Sequence, residues 1–293
     1  MATLTATPAR WRVRPGRLLR GALFYAALAL FLVVVLLPIY YVLTGAFVQG
    51  DRLFTKPLTY LPTNLSLDRF RLVFRELPLW RYLWNTFFLA TGSTLIALAL
   101  CFLAAYSIAR FQFPGANAVL LVLLVSSMLP ATSTVIPLFQ LWRDLKLMNT
   151  LHGLLILYVS ALLPTTTWVL ISFIRQLPTE VEDAAKVDGA GFWQLIWFVI
   201  VPMLRPGLAT MFVINFITGW NEFFTPLVFA RGPASKVIGM ALTEAQTISS
   251  SSQFVQNWGN TAAVAIIMTI PVFLITLAFQ RQIVAGLASG VYK

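Results

Sequence analysis

The chain has 293 residues, 59% of them hydrophobic and 11% charged, with a mean hydropathy of +0.81. A soluble domain carries about 25% charged residues, so this composition excludes a wholly soluble chain and points to a polytopic membrane protein, which need not hold a soluble domain. The net charge of +11 does not signal nucleic acid, because the basic residues are scattered around apolar segments and form no stripe that could track phosphates. The single cysteine, Cys101, lies inside an apolar run, which leaves no disulfide framework and no cysteine metal site.

In chain order, five arginines come first: Arg10, Arg12, Arg14, Arg17 and Arg20. Such a cluster tight against an apolar run reads as a cytoplasmic anchor. The run is too long for a signal-peptide core and lacks a small-residue cleavage site, so it is expected as a retained first span. Crossing ~30 Å of hydrocarbon at ~1.5 Å per residue takes about 20 apolar residues. Six segments qualify: 21–47, 84–109, 118–141, 151–174, 207–229 and 262–280. The expected fold is therefore all-α, with a cytoplasmic segment 1–20, a six-span domain 21–280 and a cytoplasmic tail 281–293. Lys and Arg divide almost evenly between the two sides, so the N-terminal cluster sets the orientation, with both termini cytoplasmic. Pro38, Pro130, Pro137, Pro164, Pro226 and Pro271 fall in spans, where neighbouring helices can satisfy the freed carbonyls.

The first outer loop, 48–83, carries turn signals at Pro57 and Pro62. Ser66 can cap a short helix in which Leu67, Phe70 and Phe74 share a face. Trp80, Tyr82 and Trp84 read as an interfacial aromatic belt. The last outer loop, 230–261, is rich in Ser, Gln and Asn and holds Trp258-Gly259.

Between the fourth and fifth spans lies a cytoplasmic loop, about 175–206. Pro178 ends the preceding span. Thr179-Glu180-Val181-Glu182 fits a capping box, with acids in the first turn where the helix dipole favours them. Ala184 and Ala185 keep the helix thin, and Gly189 can end it by taking a positive φ. Phe192, Leu195, Ile196 and Val199 then recur at helical spacing up to Val201-Pro202. The expectation is helix, glycine turn, helix, lying across the membrane surface. A plain amphipathic re-entry between spans would show the same pattern. The thin face followed by an obligatory turn favours a docking element instead.

Here the residues carry a resemblance. Asp183-Ala184-Ala185, then Gly189, then Val199-x-Val201-Pro202 resembles the EAA loop of binding-protein-dependent ABC transporter permeases. Leu147-Met148-Asn149-Thr150, Trp258-Gly259 and the ending Gln280-Arg281-Gln282-Ile283-Val284-Ala285-Gly286-Leu287-Ala288-Ser289-Gly290 are similar to the carbohydrate-type permeases, in particular the shorter six-span subunits of the maltose-system kind. The likeness covers roughly residues 80–293. Asp183 stands where that family has Glu, and Val199-x-Val201-Pro202 where it has Ile-x-Leu-Pro.

The resemblance implies a coupling helix that sits on a separate ATPase, with Glu182, Asp183, Ala184, Ala185, Asp188, Gly189 and Ala190 as the docking residues. It implies a second, homologous permease subunit in a heterodimer, two ATPase subunits and an extracytoplasmic solute-binding protein, all in or at the inner membrane and its lipid. Solute would be a sugar or related polyol; a non-sugar solute such as glycerol phosphate is the alternative within the family. The chain has no GxxxxGK[ST] loop, GxSxG elbow or HExxH, so it is expected to be non-catalytic, without a cofactor of its own, and ATP-Mg belongs on the partner ATPase.

The competing class is an ion-coupled secondary transporter, which needs carboxylates within the membrane or a sodium site at broken helices. Glu222 is the only acid in or at the edge of a span. It is a candidate for the solute path with Asn215, Trp220 and Asn221, although a buried polar contact between spans explains Asn215 as well. His152 has no second histidine or acidic cluster with which to form a metal site.

Overall fold

The computed structural model describes residues 15–48, 65–111, 113–248 and 254–291. The expected turns at Pro57 and Pro62 and the charges Arg10, Arg12 and Arg14 lie outside these. Among the described residues the chain is helical, apart from turns and one isolated bridge between Val48 and Leu65. Five helices among these residues are long and apolar enough to cross a membrane, and a sharply bent pair makes a sixth if counted as one span.

The first span, α1 (Pro15–Phe47), is apolar all round and exposes Leu, Val and Phe side chains along its length. A helix with that pattern is solvated by lipid on most of its surface. It touches the body of the molecule through the last helix, at 254–291, and the short helix at 68–76. The short helix α2 (Asp68–Glu76) starts where expected, and Ser66 Oγ accepts the Asp68 N–H at 3.0 Å. Its buried face differs from the expectation. Val73 is buried and Phe70 packs on Phe47, while Leu67 and Phe74 stay exposed. Leu67 is the N-cap, outside the helical repeat, so positions 70 and 73 set the inward face.

The second span, α3 (Leu79–Arg110), is the spine. Ala90, Ser93, Thr94, Ala97, Cys101 and Ala105 form a buried stripe of small side chains. That stripe lets α6 (Leu151–Arg175) and α9 (Val201–Trp220) approach closely, as small residues do between membrane helices. At the start of α3, Trp80 and Trp84 are exposed but Tyr82 is buried. The expected belt therefore holds only the two tryptophans. Residues two apart on a helix point about 200° away from each other, so Tyr82 had to face inward once Trp80 and Trp84 faced out.

The segment expected as a continuous third span, 118–141, is broken into α4 (Ala116–Met128) and α5 (Ala131–Asp144), which meet at 99°. Pro130 is the N-cap of α5. It disfavours a helical conformation at Leu129, which is extended at ψ 129. By contrast, α1, α6 and α12 (Phe254–Val291) run through their prolines unbroken, and α12 continues well past Gln280.

After α7 (Thr179–Val187) the chain does not lay a second helix across the surface. Phe192–Trp220 is one rod. A short turn, α8 (Phe192–Gln194), passes through a π-helical stretch, Leu195–Ile200, into α9. Pro202 has no N–H to give, and the Val201 N–H reaches five residues back to Ile196 O. The fifth span thus begins earlier than residue 207. It also ends at Trp220, before α10 (Phe224–Phe229) and α11 (Ile238–Glu244), because the chain turns at Asn221–Phe223. Three buried clusters hold these elements together, and α3 contributes to each.

Candidate functional site

The connection after α6 sets up α7. Pro178 occupies the N-cap with extended ψ 129, and Thr179 becomes the first helical residue. The capping box expected from Thr179 and Glu182 is not formed. Glu182 does not reach back along its own helix, because a stronger partner lies 72 residues upstream. Arg110 Nε donates to Glu182 Oε1 at 2.7 Å, and Tyr106 Oη donates to Glu182 Oε2 at 3.0 Å. Arg110 Nη2 also donates to Leu177 O at 3.0 Å, which ties down the α6–α7 connection.

Glu182 and Arg110 side chains are only 4% and 13% exposed. A charge taken out of water is tolerable when it is paired and its lone pairs are filled. Both oxygens of Glu182 are filled here. Arg110 is the last residue of α3 and Tyr106 lies one turn before it, so one helix end supplies both donors. Ala185, three residues after Glu182, packs on the cluster built by Phe102, Tyr106, Ile174, Leu195 and Ile200. Glu182 and Ala185 are therefore the inward face of α7, and Glu182 does not offer its carboxylate outward as expected.

Of the other docking candidates, Ala190 is half-buried and the rest face out. Asp183, Ala184, Val187, Asp188 and Gly189 are exposed, and Val187 is 87% exposed although apolar. Among the described residues Asp183 pairs with Lys186, at 2.9 Å on the same surface. The helix ends as the glycine predicted. Gly189 sits at φ 83, its N–H donates to Lys186 O, and the Ala190 N–H donates to Ala185 O. This pair of bonds is the Schellman termination, which needs a left-handed residue at its corner. Gln194 Oε1 then accepts the Gly191 N–H at 2.8 Å and starts the rod. A groove of about 530 Å³ runs beside α7, lined by Tyr106, Arg110, Asp183, Lys186 and Phe192.

The four candidate path residues separate into two kinds. Asn215 is buried and exchanges hydrogen bonds with Thr166 of α6 at 3.0 and 3.2 Å. Trp220 is 1% exposed, donates Nε1–H to Met268 O at 3.0 Å and stacks on Phe216. Both are joints between spans. Asn221 is exposed, with Nδ2 donating to Ile217 O. Glu222 is half-buried, and its Oε1 accepts the Thr225 N–H at 2.8 Å, which starts α10. It also lines a void of about 30 Å³ with Tyr158 and Thr218.

At the opposite end of α3, a polar set that the sequence reading missed holds the segment after α10. Asn85 Nδ2 donates to the carbonyls of Ala234 and Lys236, both at 2.9 Å. Thr86 Oγ1 accepts the Ile238 N–H at 2.8 Å. Tyr82 Oη donates to Glu244 Oε2 at 2.9 Å, and Lys236 pairs with the same carboxylate. Asn149, at φ 59, donates its N–H to Phe229 O and accepts the Gly232 N–H on Oδ1. The available signal was the spacing of Tyr82, Asn85 and Thr86, which puts three polar groups on one face of a helix start.

Residues 97–289 match the family model described as binding-protein-dependent transport system inner membrane component. The trehalose transport system permease protein SugB of Mycobacterium tuberculosis is 36% identical over 233 residues, 80% of this chain and 84% of that protein. The diacetylchitobiose uptake system permease protein NgcG of Streptomyces coelicolor is 30% identical over 274 residues, 93% of this chain and 89% of that protein. In fold, a chain of a bacterial ABC transporter involved in the import of the polysaccharide alginate superposes with a TM-score of 0.76 at 21% identity, covering 94% of this chain and 99% of that one. These matches set aside the ion-coupled alternative: the chain belongs to the family of inner-membrane permease components of binding-protein-dependent transport systems.

Proposed function

We propose that this chain forms half of the solute pathway of an ATP-driven importer for a sugar or related polyol. The observation that carries the reading is the two-faced helix α7. Its inner face is locked to α3 and the rod, and its outer face presents Asp183, Ala184, Val187 and Asp188, which no described residue covers. An apolar side chain as exposed as Val187, beside an acid with only a surface partner, suits a docking helix. The partner it would meet is a separate ATPase, since the chain has no phosphate-binding loop of its own. ATP-Mg would then reside on the partner, not here. A second permease subunit, homologous to this one, and an extracytoplasmic solute-binding protein complete the assembly, with both termini of this chain on the ATPase side. ATP-driven closure of the ATPase pair would shift α7 as a rigid element and switch the pathway between its two faces. Support for a sugar comes from the substrates in the names of SugB and NgcG.

The test is a mild-detergent pull-down of the tagged chain from its native membrane, followed by mass spectrometry. An ATPase, a second permease and a binding protein are the expected company. The recovered binding protein is then titrated with trehalose and diacetylchitobiose. A chain that comes alone from membranes still active in uptake would sink the docking reading. A binding protein that ignores oligosaccharides and polyols would sink the sugar.

A further inference from the structure

We infer that Glu182 and Arg110, with Tyr106 as the third member, form the joint that makes α7 and α3 move as one body. A displacement of the exposed face of α7 would then be delivered along α3 to the segment 230–247 seated on its far end. The inference deepens the proposed function and rests on α7 being the face the ATPase meets.

Two independent observations carry it. The first is the joint. Glu182 sits on the inner face of α7, and both its oxygens are taken by the last turns of α3. Arg110 at the same time holds Leu177 O, so both the helix and the connection leading into it hang from one guanidinium. Such a contact resists sliding and tilting, because Arg presents its donors in a fixed plane. Apolar packing around Ala185 alone would allow both. The second observation is the far end of α3. Tyr82, Asn85 and Thr86 grip the segment after α10 through side-chain hydrogen bonds and a carboxylate. Between Asn85 and Arg110 the helix is unbroken, about 38 Å at 1.5 Å per residue. An unbroken helix with polar anchors at both ends is an element that two sites can bias together.

Glu182 is thus a positioning residue, which acts through α3 and has no contact with the ATPase. Its test uses the whole complex in nanodiscs and a reporter cysteine, Ala234→Cys, on the gripped segment. Ala234 is exposed, whereas the native Cys101 is buried and adds little background. Labelling by a hydrophilic maleimide is timed with and without ATP-Mg and vanadate. With the joint intact, the nucleotide is expected to change the labelling rate about fivefold or more. Glu182→Gln and Arg110→Gln should each abolish that change while the ATPase still co-purifies, and the double variant should be no worse than either single. A residue with a merely structural role would lower the yield of complex and leave the nucleotide response of the surviving complex intact. That result overturns the inference, as does a reporter that ignores nucleotide with the joint intact. Loss of the ATPase from Glu182→Gln but not from Arg110→Gln would make Glu182 a docking contact and overturn it too. Failure of the unaltered chain to bring down any ATPase would instead remove the parent reading.

Discussion

Glu182 and Asp183 are neighbours with the same charge and opposite circumstances, and one helical step of about 100° separates them. Glu182 is buried against Arg110, and Asp183 lies on the surface with Lys186. Removing one partner of a buried pair strands the other charge in a poor solvent, at a cost of about 3–5 kcal/mol. Glu182→Ala and Arg110→Ala should therefore lower the thermal unfolding midpoint of the purified chain sharply. Asp183→Ala removes an exposed pair worth about half a kcal/mol, and its midpoint should stay where it was. Its effect belongs in the pull-down, where it should weaken ATPase recovery. An Asp183 variant as unstable as the Glu182 variant would contradict the two-faced helix. The same contrast explains how the sequence misleads here. Thr-x-x-Glu is a real local pattern, but the partner that captures Glu182 stands 72 residues away, and no local pattern can rank the two.

At the scale of elements, α7 depends on how it ends. Gly189 holds φ 83, where a Cβ costs about 1–2 kcal/mol. Gly191, two residues on, has φ −70 and ψ 165, which any residue adopts. Gly189→Ala should strain the Schellman corner, misdirect the start of the rod and cut uptake several-fold, with Gly191→Ala close to unaltered. Equal loss in both variants would mean that the loop needs flexibility there, not the left-handed corner. This turn was legible in advance, because only one backbone conformation ends a helix that way and glycine adopts it at little cost. The spans were legible for a similar reason, since about 20 apolar residues have few other uses. The breaks were not. Pro130 splits a segment at 99°, while Pro38, Pro164 and Pro271 ride inside continuous helices. Whether neighbouring helices stitch over a proline is decided by tertiary packing, which composition does not record. The end of α9 at Trp220 was hidden likewise, because the residues of α10 are as apolar as a span. Of the path candidates, Asn215 and Trp220 went to helix joints, since a polar group inside a bundle is used by whichever neighbour comes first.

For the whole molecule, the long-range polar contacts of α3 concentrate at its two ends, and its middle buries a stripe of small side chains. The apolar surfaces of α1, α4 and α5 lie away from this spine and carry exposed Leu, Val, Ile and Phe. The architecture therefore separates an apolar periphery from an anchored centre, and the anchors can be cut one end at a time. Asn85 supplies one donor group to two carbonyls, those of Ala234 and Lys236. Asn85→Ala leaves both without that donor, a loss of about 1–3 kcal/mol felt locally, and it touches nothing at the α7 end. The segment 230–247 should then open more often while the bundle stays folded. Trypsin gives the readout. Arg231 is exposed in that segment and Lys186 is exposed on α7, so one digestion reports both ends. In Asn85→Ala, cleavage after Arg231 should quicken and cleavage after Lys186 should keep its original rate. If both quicken together, the variant has loosened the whole bundle and the two ends of α3 are not separate anchors. If neither changes, Tyr82, Thr86 and Asn149 suffice to hold the segment.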